Sequence, residues 1–485
     1  MRSRSWWWAR LVAGVTCAAF LGACATNPVT GRREITLVSP AQELEIGQQG
    51  YAPVLAAYGL YDDAALQTYV NSVGQKVARA SHLPDLDWHF TVVDDAAVNA
   101  FAMPGGYIYI TRGLLAYLNS EAQLAGVLGH EIGHVTRRHS AARITQQQLY
   151  GAGLALGSVV SRTVERYSGA AQQAMDLMFL QFSRTDETQA DELGVDYATK
   201  AGFDPREIPA TYAMLQRISA QSGQRLPGFL ETHPDPGDRA RVTTELARRA
   251  ASGKSDLLIH AAQYVQRMDG VLFGRDPRQG YFVGDVYYHP TMRFQMTFPA
   301  GWTHQESHST VAAAEPGQSA IMQLSAARAA ASISPEAFAA KLVSDGAVSA
   351  VRGGPETIHG HGSWVGQLDI APAGQPASTL DAAFIRKDAV LFQAVGQSKK
   401  AGDVFEQRIF SAMRSFATLA DPARIAVTPN RVRVRAAAAA GSFETVVRRL
   451  GAEPSFLAAD AIMNNVELAG PVVSGALLKF VVRSN

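Results

Sequence analysis

Cysteine is nearly absent from this 485-residue chain: it has two, Cys17 and Cys24, and both lie at the N-terminal end. The rest of the chain therefore has no residue that could form an internal disulfide bond or bind a metal ion through a thiolate. Any metal site in the body of the protein must use histidine and carboxylate side chains.

An excess of charge of either sign is also absent. The chain has 44 lysine and arginine residues against 43 aspartate and glutamate residues. Proteins that bind nucleic acid usually carry a clear positive excess, because contacts to phosphate dominate their affinity. The composition therefore argues against a nucleic acid partner. Repeats of the period found in solenoid proteins are missing as well, and 485 residues are too many for one ordinary domain.

The N-terminal end has the pattern of a secretory signal. Three arginines precede an apolar run at residues 11–20 that is too short to span a membrane. The run leads into LGAC, which ends at Cys24 and resembles a bacterial lipobox. We predict that residues 1–23 are a signal peptide and that Cys24 carries a lipid anchor. An ordinary signal peptide with an incidental cysteine is the alternative. Ala25 after the cysteine, in place of aspartate, favours the outer membrane of a Gram-negative bacterium, facing the periplasm.

The remaining chain divides into three segments by its hydrophobic patterns. Residues 24–265 are rich in helical periodicity and have strand-like patterns at 88–93 and 106–111, which predicts a mostly α domain with a small β-sheet. Residues 282–418 alternate in polarity and are rich in aromatic residues, which predicts an α+β accessory domain. The order of patterns in residues 424–485 predicts a small βααβ domain.

The segment VLGHEIGHVTRRH, residues 127–139, carries the clearest chemical pattern. His130 and His134 are four residues apart, so on a helix both imidazoles face one ion. Glu131 lies one position round the helix, where it can reach a water without binding the ion itself. The flanking residues are small and apolar, so the helix should be buried, and burying these polar groups without an ion would be costly. His139, on the same reasoning, points to the other face of the helix and has a structural role.

A catalytic zinc ion usually has three protein ligands and one open position. The best candidate for the third ligand is Glu187, 53 residues after His134, with Asp191 four residues further along the same helical face. Glu187 can bind zinc, while Asp191 can accept the N–H of a ligand histidine and fix its orientation. The alternative is an exposed acidic helix with Arg184 as an ion-pair partner.

Together, HEIGH and the later SRTDETQAD segment resemble the gluzincin metallopeptidases of the HtpX and CAAX-prenyl-protease family, and more closely its BepA-like periplasmic lipoprotein branch. The opening residues 24–39 and the segment at 98–115 also resemble that branch, so the likeness extends from residue 24 to about residue 245. The resemblance implies a zincin-type peptidase domain with one zinc ion per chain. It also implies hydrolysis of peptide bonds with Glu131 as the general base.

The resemblance implies roles for three further residues. His233 and Arg239, in ETHPDPGDR, have the spacing of a histidine and an arginine that the family places near its zinc ion. His233 would either stabilise the oxyanion or bind the zinc as a fourth, self-inhibiting ligand, and Arg239 would help to hold the site. Asn99, in an edge strand of the NAF type, would bind the substrate backbone.

The C-terminal segment, residues 424–485, resembles a degenerate LysM module, a family that binds peptidoglycan. AAAAAG stands where that family has a Pro-Gly-Asp turn, so a purely structural role is an alternative to glycan binding.

These features predict a zinc-dependent endopeptidase of the bacterial cell envelope that degrades misfolded or unassembled outer-membrane and periplasmic proteins. The expected partners are such proteins as substrates, the membrane through the lipid anchor, and peptidoglycan. Two alternatives stay open: a chaperone-like assembly factor with a self-inhibited zinc site, and a peptidoglycan-binding lipoprotein with a silent peptidase domain.

Overall fold

The computed structural model describes residues 24–154, 181–222, 233, 236–327, 333–370 and 377–483. The predicted signal peptide, residues 1–23, lies outside the described residues. Within the described ranges, no helix combines the length and the apolar character that crossing a membrane requires.

The N-terminal half packs helices around a small sheet, as its periodicity predicts. Its helices are α1 (Pro40–Tyr58), α2 (Ala64–Ala78), α3 (Arg112–Tyr117), α4 (Glu121–Thr136), α5 (His139–Leu154), α6 (Arg184–Lys200), α7 (Ile208–Ser222), α8 (Pro236–Ala251) and α9 (Ala261–Arg267). Its strands are β1 (Cys24–Thr26), β2 (Arg33–Ile35), β3 (His89–Val93), β4 (Ala100–Met103) and β5 (Tyr107–Thr111). Cys24 pairs with Ile35 in the β1–β2 ladder.

The sheet of three strands has the order β3-β5-β4, with β3 parallel and β4 antiparallel to β5. The two strand-like patterns correspond to β3 and β5. The sequence patterns predict only these two strands for the sheet, which was wrong. They miss β4, because its four residues are too few to show a clear alternation of polarity. As an edge strand, β4 keeps one row of backbone groups outside the ladder.

Three glycines bring α4 and α6 into close contact. A methyl group at Gly129 would lie 3.0 Å from the carbonyl oxygen of Gly194, and one at Gly133 would lie 3.2 Å from Cα of Ala190. A methyl group at Gly194 would lie 2.9 Å from the backbone nitrogen of His130. Larger residues would push the helices apart, so these glycines set the spacing between the HEIGH helix and the helix that carries Glu187.

The middle region is an antiparallel α+β unit. Its strands are β7 (Tyr281–Val283), β8 (Val286–His289), β9 (Phe294–Thr297), β10 (Thr303–Glu306), β11 (Thr310–Ala314), β12 (Ala320–Ala327), β13 (Ala350–Ile358), β14 (His361–Ile370), β15 (Ser378–Lys387), β16 (Val390–Ser398) and β17 (Ala417–Thr418). A sheet of seven strands has the order β10-β11-β12-β16-β15-β14-β13, and a sheet of four has the order β17-β9-β8-β7. Helices α10 (Pro335–Ser344) and α11 (Val404–Arg414) pack on the larger sheet. This region has its own hydrophobic core, with residues from Tyr287 to Phe416.

The C-terminal region follows the predicted order of strand, helix, helix and strand. After the short helix α12 (Pro422–Ile425) come β18 (Asn430–Ala436), β19 (Gly441–Ser442), α13 (Phe443–Arg449), α14 (Leu457–Met463), β20 (Pro471–Val472) and β21 (Leu477–Arg483). Strand β18 pairs with β21 and with the distant β6 (Leu272–Phe273).

One face of this C-terminal sheet belongs to the core of the N-terminal half. Val432, Val434 and Val481 lie in the same hydrophobic cluster as the helices of that half. The buried Lys479 donates from Nζ to the carbonyl oxygens of Ala116 and Leu118, at 2.8 and 2.6 Å. The C-terminal segment therefore shares one face with the core of the N-terminal half and has a second hydrophobic core of its own, with residues from Ala437 to Phe480.

Asp460, on α14, makes the stability of this region depend on pH. One carboxylate oxygen accepts the N–H of Val481 at 3.0 Å, and the other is buried with no hydrogen bond among the described residues. Burial raises the pKa of Asp460 to about 8, against the smaller opposing effect of the Val481 bond. The folded state thus keeps a proton that the unfolded chain releases from about pH 4 upward, so the free energy of unfolding falls as pH rises towards 8.

We predict that Asp460→Asn removes this loss, because asparagine cannot ionise. Relative to the wild type, the free energy of unfolding of the variant should rise by about 3 kcal/mol between pH 5 and pH 8. Urea unfolding at the two pH values measures the change, and Asp85→Asn, at an exposed position, should show none. An advantage that is the same at both pH values would contradict the proposed ionisation.

Candidate metal centre

Four buried side chains from three parts of the chain converge inside the N-terminal half. His130, His134, Glu187 and His233 each offer one ligand atom, and these atoms all lie within 4.8 Å of one another. The two histidines of HEIGH lie on α4, and Glu187 lies in the first turn of α6. His233 lies in the connection between α7 and α8. The structure thus brings together the three predicted ligands and His233.

The distances within the cluster show how tightly the ligand atoms converge. The Nε2 atoms of His130 and His134 are 3.0 Å apart. Nδ1 of His233 lies 3.4 Å from Nε2 of His130 and 3.0 Å from Oε1 of Glu187. That same Oε1 is 3.5 Å from Nε2 of His134. Such a set of imidazole nitrogens and one carboxylate is typical of the ligands that bind zinc without cysteine.

Asp191 supports the cluster from behind. Its carboxylate lies 2.9 Å from Nδ1 of His130, which leaves Nε2 of that ring directed at the other ligand atoms. It also accepts hydrogen bonds from Nε of Arg239 at 2.8 Å and from the hydroxyl of Tyr212 at 2.6 Å. Burial acts to raise the pKa of Asp191, but the charge of Arg239 and these bonds hold it well below its usual range. The carboxylate is therefore ionised and can orient the imidazole.

Arg239, on α8, joins the two acidic residues of α6. Its Nη1 lies 2.7 Å from Oε2 of Glu187, and its Nη2 lies 2.6 Å from Oδ1 of Asp191. The guanidinium group also stacks on the ring of Tyr212, 4.5 Å from its centroid. Against the effect of burial, His233 and Arg239 lower the pKa of Glu187. No sequence pattern points to Tyr212, because a tyrosine on an amphipathic helix is ordinarily a core residue.

Glu131, on α4, differs from Glu187 and Asp191 because its carboxylate is not hydrogen-bonded to any of the described residues. Both of its carboxylate oxygens are buried, and neither has a hydrogen-bond partner among the described residues. Its Oε1 lies 3.6 Å from Nε2 of His233, which is longer than the shortest ion-pair distances of Glu187 and Asp191. Burial raises the pKa of Glu131, which is the property a general base needs near neutral pH.

The formal charges of the buried groups fit a divalent cation. Glu131, Glu187 and Asp191 are three carboxylates in one buried cluster, and Arg239 is the guanidinium that faces two of them. With neutral histidines, the cluster is left with two excess negative charges, which are costly in a buried site unless a cation balances them. The donor set and the charge therefore both suit an ion such as Zn²⁺.

The prediction that His139 points to the other face of the helix was wrong, although His139 is not one of the four residues that offer a ligand atom. Helix α4 ends at Thr136, and Arg138 adopts a left-handed backbone conformation with φ of 59°. The chain turns there, and His139 begins α5 with its Nδ1 3.0 Å from Nδ1 of His134. Periodicity cannot predict this turn, because a bulky arginine rather than glycine occupies the left-handed position.

Asn99 lies immediately before β4, and no hydrogen bond joins it to the cluster in the described part of the chain. Its backbone N–H donates to Oγ1 of Thr111 at 3.1 Å, and its carbonyl accepts the N–H of Thr111 at 3.0 Å. The backbone of Asn99 is therefore occupied within the sheet. Its side-chain oxygen is buried with no hydrogen-bond partner among the described residues, and its contact with a substrate stays a prediction.

Part of the chain is similar in sequence to known peptidases. Residues 64–247 match the model of a family described as Peptidase family M48. The Beta-barrel assembly-enhancing protease of Escherichia coli (strain K12) is 30% identical over 240 residues, which is 48% of this chain and 49% of that protein. The Mitochondrial metalloendopeptidase OMA1 of Schizosaccharomyces pombe is 31% identical over 230 residues, 45% of this chain and 65% of that protein.

The protein of the same name from Arabidopsis thaliana is 35% identical over 184 residues, which is 38% of this chain and 36% of that protein. The chain thus spans about half the length of the E. coli relative that it matches.

Proposed function

We propose that this chain is a zinc-dependent endopeptidase of the bacterial cell envelope, because residues 64–247 match the model of Peptidase family M48. The observation that carries the proposal is the buried convergence of His130, His134, Glu187 and His233 beside the carboxylate of Glu131, which makes no hydrogen bond to the described residues. A metal ion with only a structural role would not require a buried carboxylate, such as that of Glu131, that is not one of the metal ligands.

In this proposal the residues of the site have two roles, metal binding and proton transfer. His130, His134 and Glu187 hold the ion, with Asp191 fixing the orientation of His130. A bound zinc ion supplies Lewis acidity, which polarises a peptide carbonyl and lowers the pKa of water to about 7. Glu131 accepts the proton from the attacking water and delivers it to the leaving amine.

His233 is the residue that controls access in this proposal. Its Nδ1 lies among the ligand atoms, 3.4 Å from Nε2 of His130, so it is placed to occupy the fourth coordination position. Glu187 and Glu131 raise its pKa, although burial acts in the opposite direction. Of the two roles that the family resemblance implies, this geometry favours the self-inhibiting ligand over the oxyanion donor. Cleavage then requires His233 to leave.

We predict that His233→Ala increases hydrolysis of unfolded casein. If the open form is about a tenth of the population, the rate should rise about tenfold, because the variant has no closing ligand. The measurement compares casein cleavage by the wild type and the variant, with and without a chelator. His361→Ala, in the accessory region, is the matched histidine control. A fall in activity would instead assign His233 to oxyanion stabilisation.

The proposed substrates are misfolded or unassembled outer-membrane and periplasmic proteins. Unfolded segments can add as a strand to an accessible sheet edge. Strand β4 stands at the edge of its sheet, with Ala100, Phe101 and Met103 buried, so in this proposal the edge receives the substrate when the site opens. The side-chain oxygen of Asn99, immediately before that strand, is buried and has no hydrogen-bond partner among the described residues, so in this proposal it accepts a substrate N–H once the site opens. The name of the E. coli relative, with its reference to β-barrel assembly, supports this substrate class.

The proposed location is the periplasmic face of the outer membrane, with a lipid on Cys24 as the anchor. The basis is the lipobox-like sequence before Cys24 and the alanine after it. A chaperone-like assembly factor is the second candidate function, and the position of His233 among the ligand atoms favours it over a permanently open enzyme. Binding of peptidoglycan by residues 424–485 stays a prediction from their sequence.

A further inference from the structure

A chain of hydrogen bonds leads away from the candidate metal centre through the far side of His134. Nδ1 of His134 lies 3.0 Å from Nδ1 of His139, and Nε2 of His139 lies 3.1 Å from Oε1 of Gln189. Arg137 donates to that same Oε1 from Nε at 2.9 Å and from Nη2 at 2.7 Å. Four side chains from α4, α5, α6 and the turn between α4 and α5 thus form one connected series.

The donors and acceptors in this series have a fixed direction. Arginine only donates, so the atom of Gln189 that Arg137 contacts must be an acceptor. Nε2 of His139 must then carry the hydrogen, because it faces an acceptor. A neutral imidazole has one donor and one acceptor nitrogen, so Nδ1 of His139 accepts and Nδ1 of His134 donates. The lone pair of His134 is consequently on Nε2, the atom that faces the other ligand atoms.

We propose that His139 is the positioning residue for the metal ligand His134. It fixes the tautomer and the ring angle of His134, while Gln189 and Arg137 fix His139 itself. The inference rests on the proposed function in one respect, namely that Nε2 of His134 binds the ion. The hydrogen-bonded partner of a ligand histidine is more often a carboxylate or a backbone carbonyl, as Asp191 is for His130.

The break between α4 and α5 is what places His139 there. The left-handed conformation of Arg138 turns the chain back on itself directly after the second ligand. That turn is held by the N-terminal region, since Arg138 donates from Nε to Glu43 at 2.9 Å and from Nη2 to the carbonyl of Val38 at 2.9 Å. A helix that continued past Thr136 would carry His139 away from His134. The turn therefore brings the two imidazoles within hydrogen-bond distance.

The two ligand histidines are therefore supported unequally. His130 donates towards a carboxylate, and a charged acceptor makes a stronger hydrogen bond than a neutral imidazole does. His134 depends on a neutral acceptor that must itself be oriented by Gln189. Loss of His139 should accordingly leave a complete ligand set whose second imidazole is free to rotate.

The test measures zinc affinity directly, by competition with a chromophoric chelator, on the chain from residue 24 onward. His139→Leu removes the acceptor and should weaken zinc binding about 10- to 100-fold. His139→Asn keeps a carbonyl oxygen near the position of Nδ1 and should restore affinity to within a few-fold of the wild type. The absorption spectrum of the cobalt-substituted protein should shift in the Leu variant and not in the Asn variant.

A second variant keeps the test independent of the packing around His139. Gln189→Leu, at a half-buried position, removes the oxygen that accepts the hydrogen bond from His139. This variant should weaken zinc binding several-fold. Gln146→Leu, at an exposed position of α5, is the matched control and should change nothing. Zinc affinity of His139→Leu within about twofold of the wild type would overturn the role of His139. A wild-type chain that binds no zinc would overturn the proposed function as well.

Discussion

Glu131→Gln is expected to abolish peptide hydrolysis while the fold and the metal content stay unchanged. Glutamine has the same shape as glutamate but cannot accept a proton, so the attacking water loses its general base. General base catalysis by a positioned side chain contributes about 10²- to 10⁴-fold to a rate, and a loss of this size is expected. The loss is measured as the fall in the rate of chelator-sensitive casein cleavage, and the metal content is determined on the same samples.

The structure gives a reason to expect that this variant folds. The carboxylate oxygens of Glu131 have no hydrogen bond to lose within the described residues, and burial already disfavours their charge. A neutral amide should therefore be accommodated at little cost in the free energy of unfolding. Glu192→Gln, at an exposed position of α6, is the control and should keep full activity. Wild-type cleavage rates in Glu131→Gln would eliminate Glu131 as the base.

Arg239→Gln is expected to lower the free energy of unfolding of the metal-free protein by about 3–5 kcal/mol. The guanidinium group lies 2.7 Å from Glu187 and 2.6 Å from Asp191, and all three side chains are buried. Removing it leaves two buried carboxylates whose remaining partners are histidines, His233 for Glu187 and His130 for Asp191. Breaking a buried ion pair on one side costs more than the pair itself contributes, because the remaining charge stays desolvated.

Zinc should reduce that cost. When a divalent cation is bound, Glu187 has a positive partner even without Arg239, so the loss should fall to about 1–2 kcal/mol. Urea unfolding of the metal-free and the zinc-saturated protein compares the two cases. Arg241→Gln, two residues further along α8 with its side chain 73% exposed, should change stability by less than about 0.5 kcal/mol in both. Equal losses with and without zinc would contradict the placement of Glu187 at the ion.

The sequence by itself determined the first half of the site, because the information is local. Two histidines four residues apart share a helical face in any structure where the segment is helical, and so do Glu187 and Asp191. The glycines of α4 and α6 can also be identified from the sequence. Because they have no side chains, they permit the close approach of the two helices. Strand and helix order in the C-terminal segment followed from periodicity in the same way.

The tertiary structure alone decided what surrounds those ligands. The turn at Arg138 is stabilised by Glu43 and Val38, which lie about a hundred residues earlier, so no local pattern predicts it. Tyr212 reaches Asp191 because α6 and α7 both pack against α8, and the C-terminal strands pair with β6 of the N-terminal half. Periodicity reports which face of an element is apolar. Which distant polar group meets that face depends on the packing of the whole chain, and that packing places the groups that orient the candidate ligands.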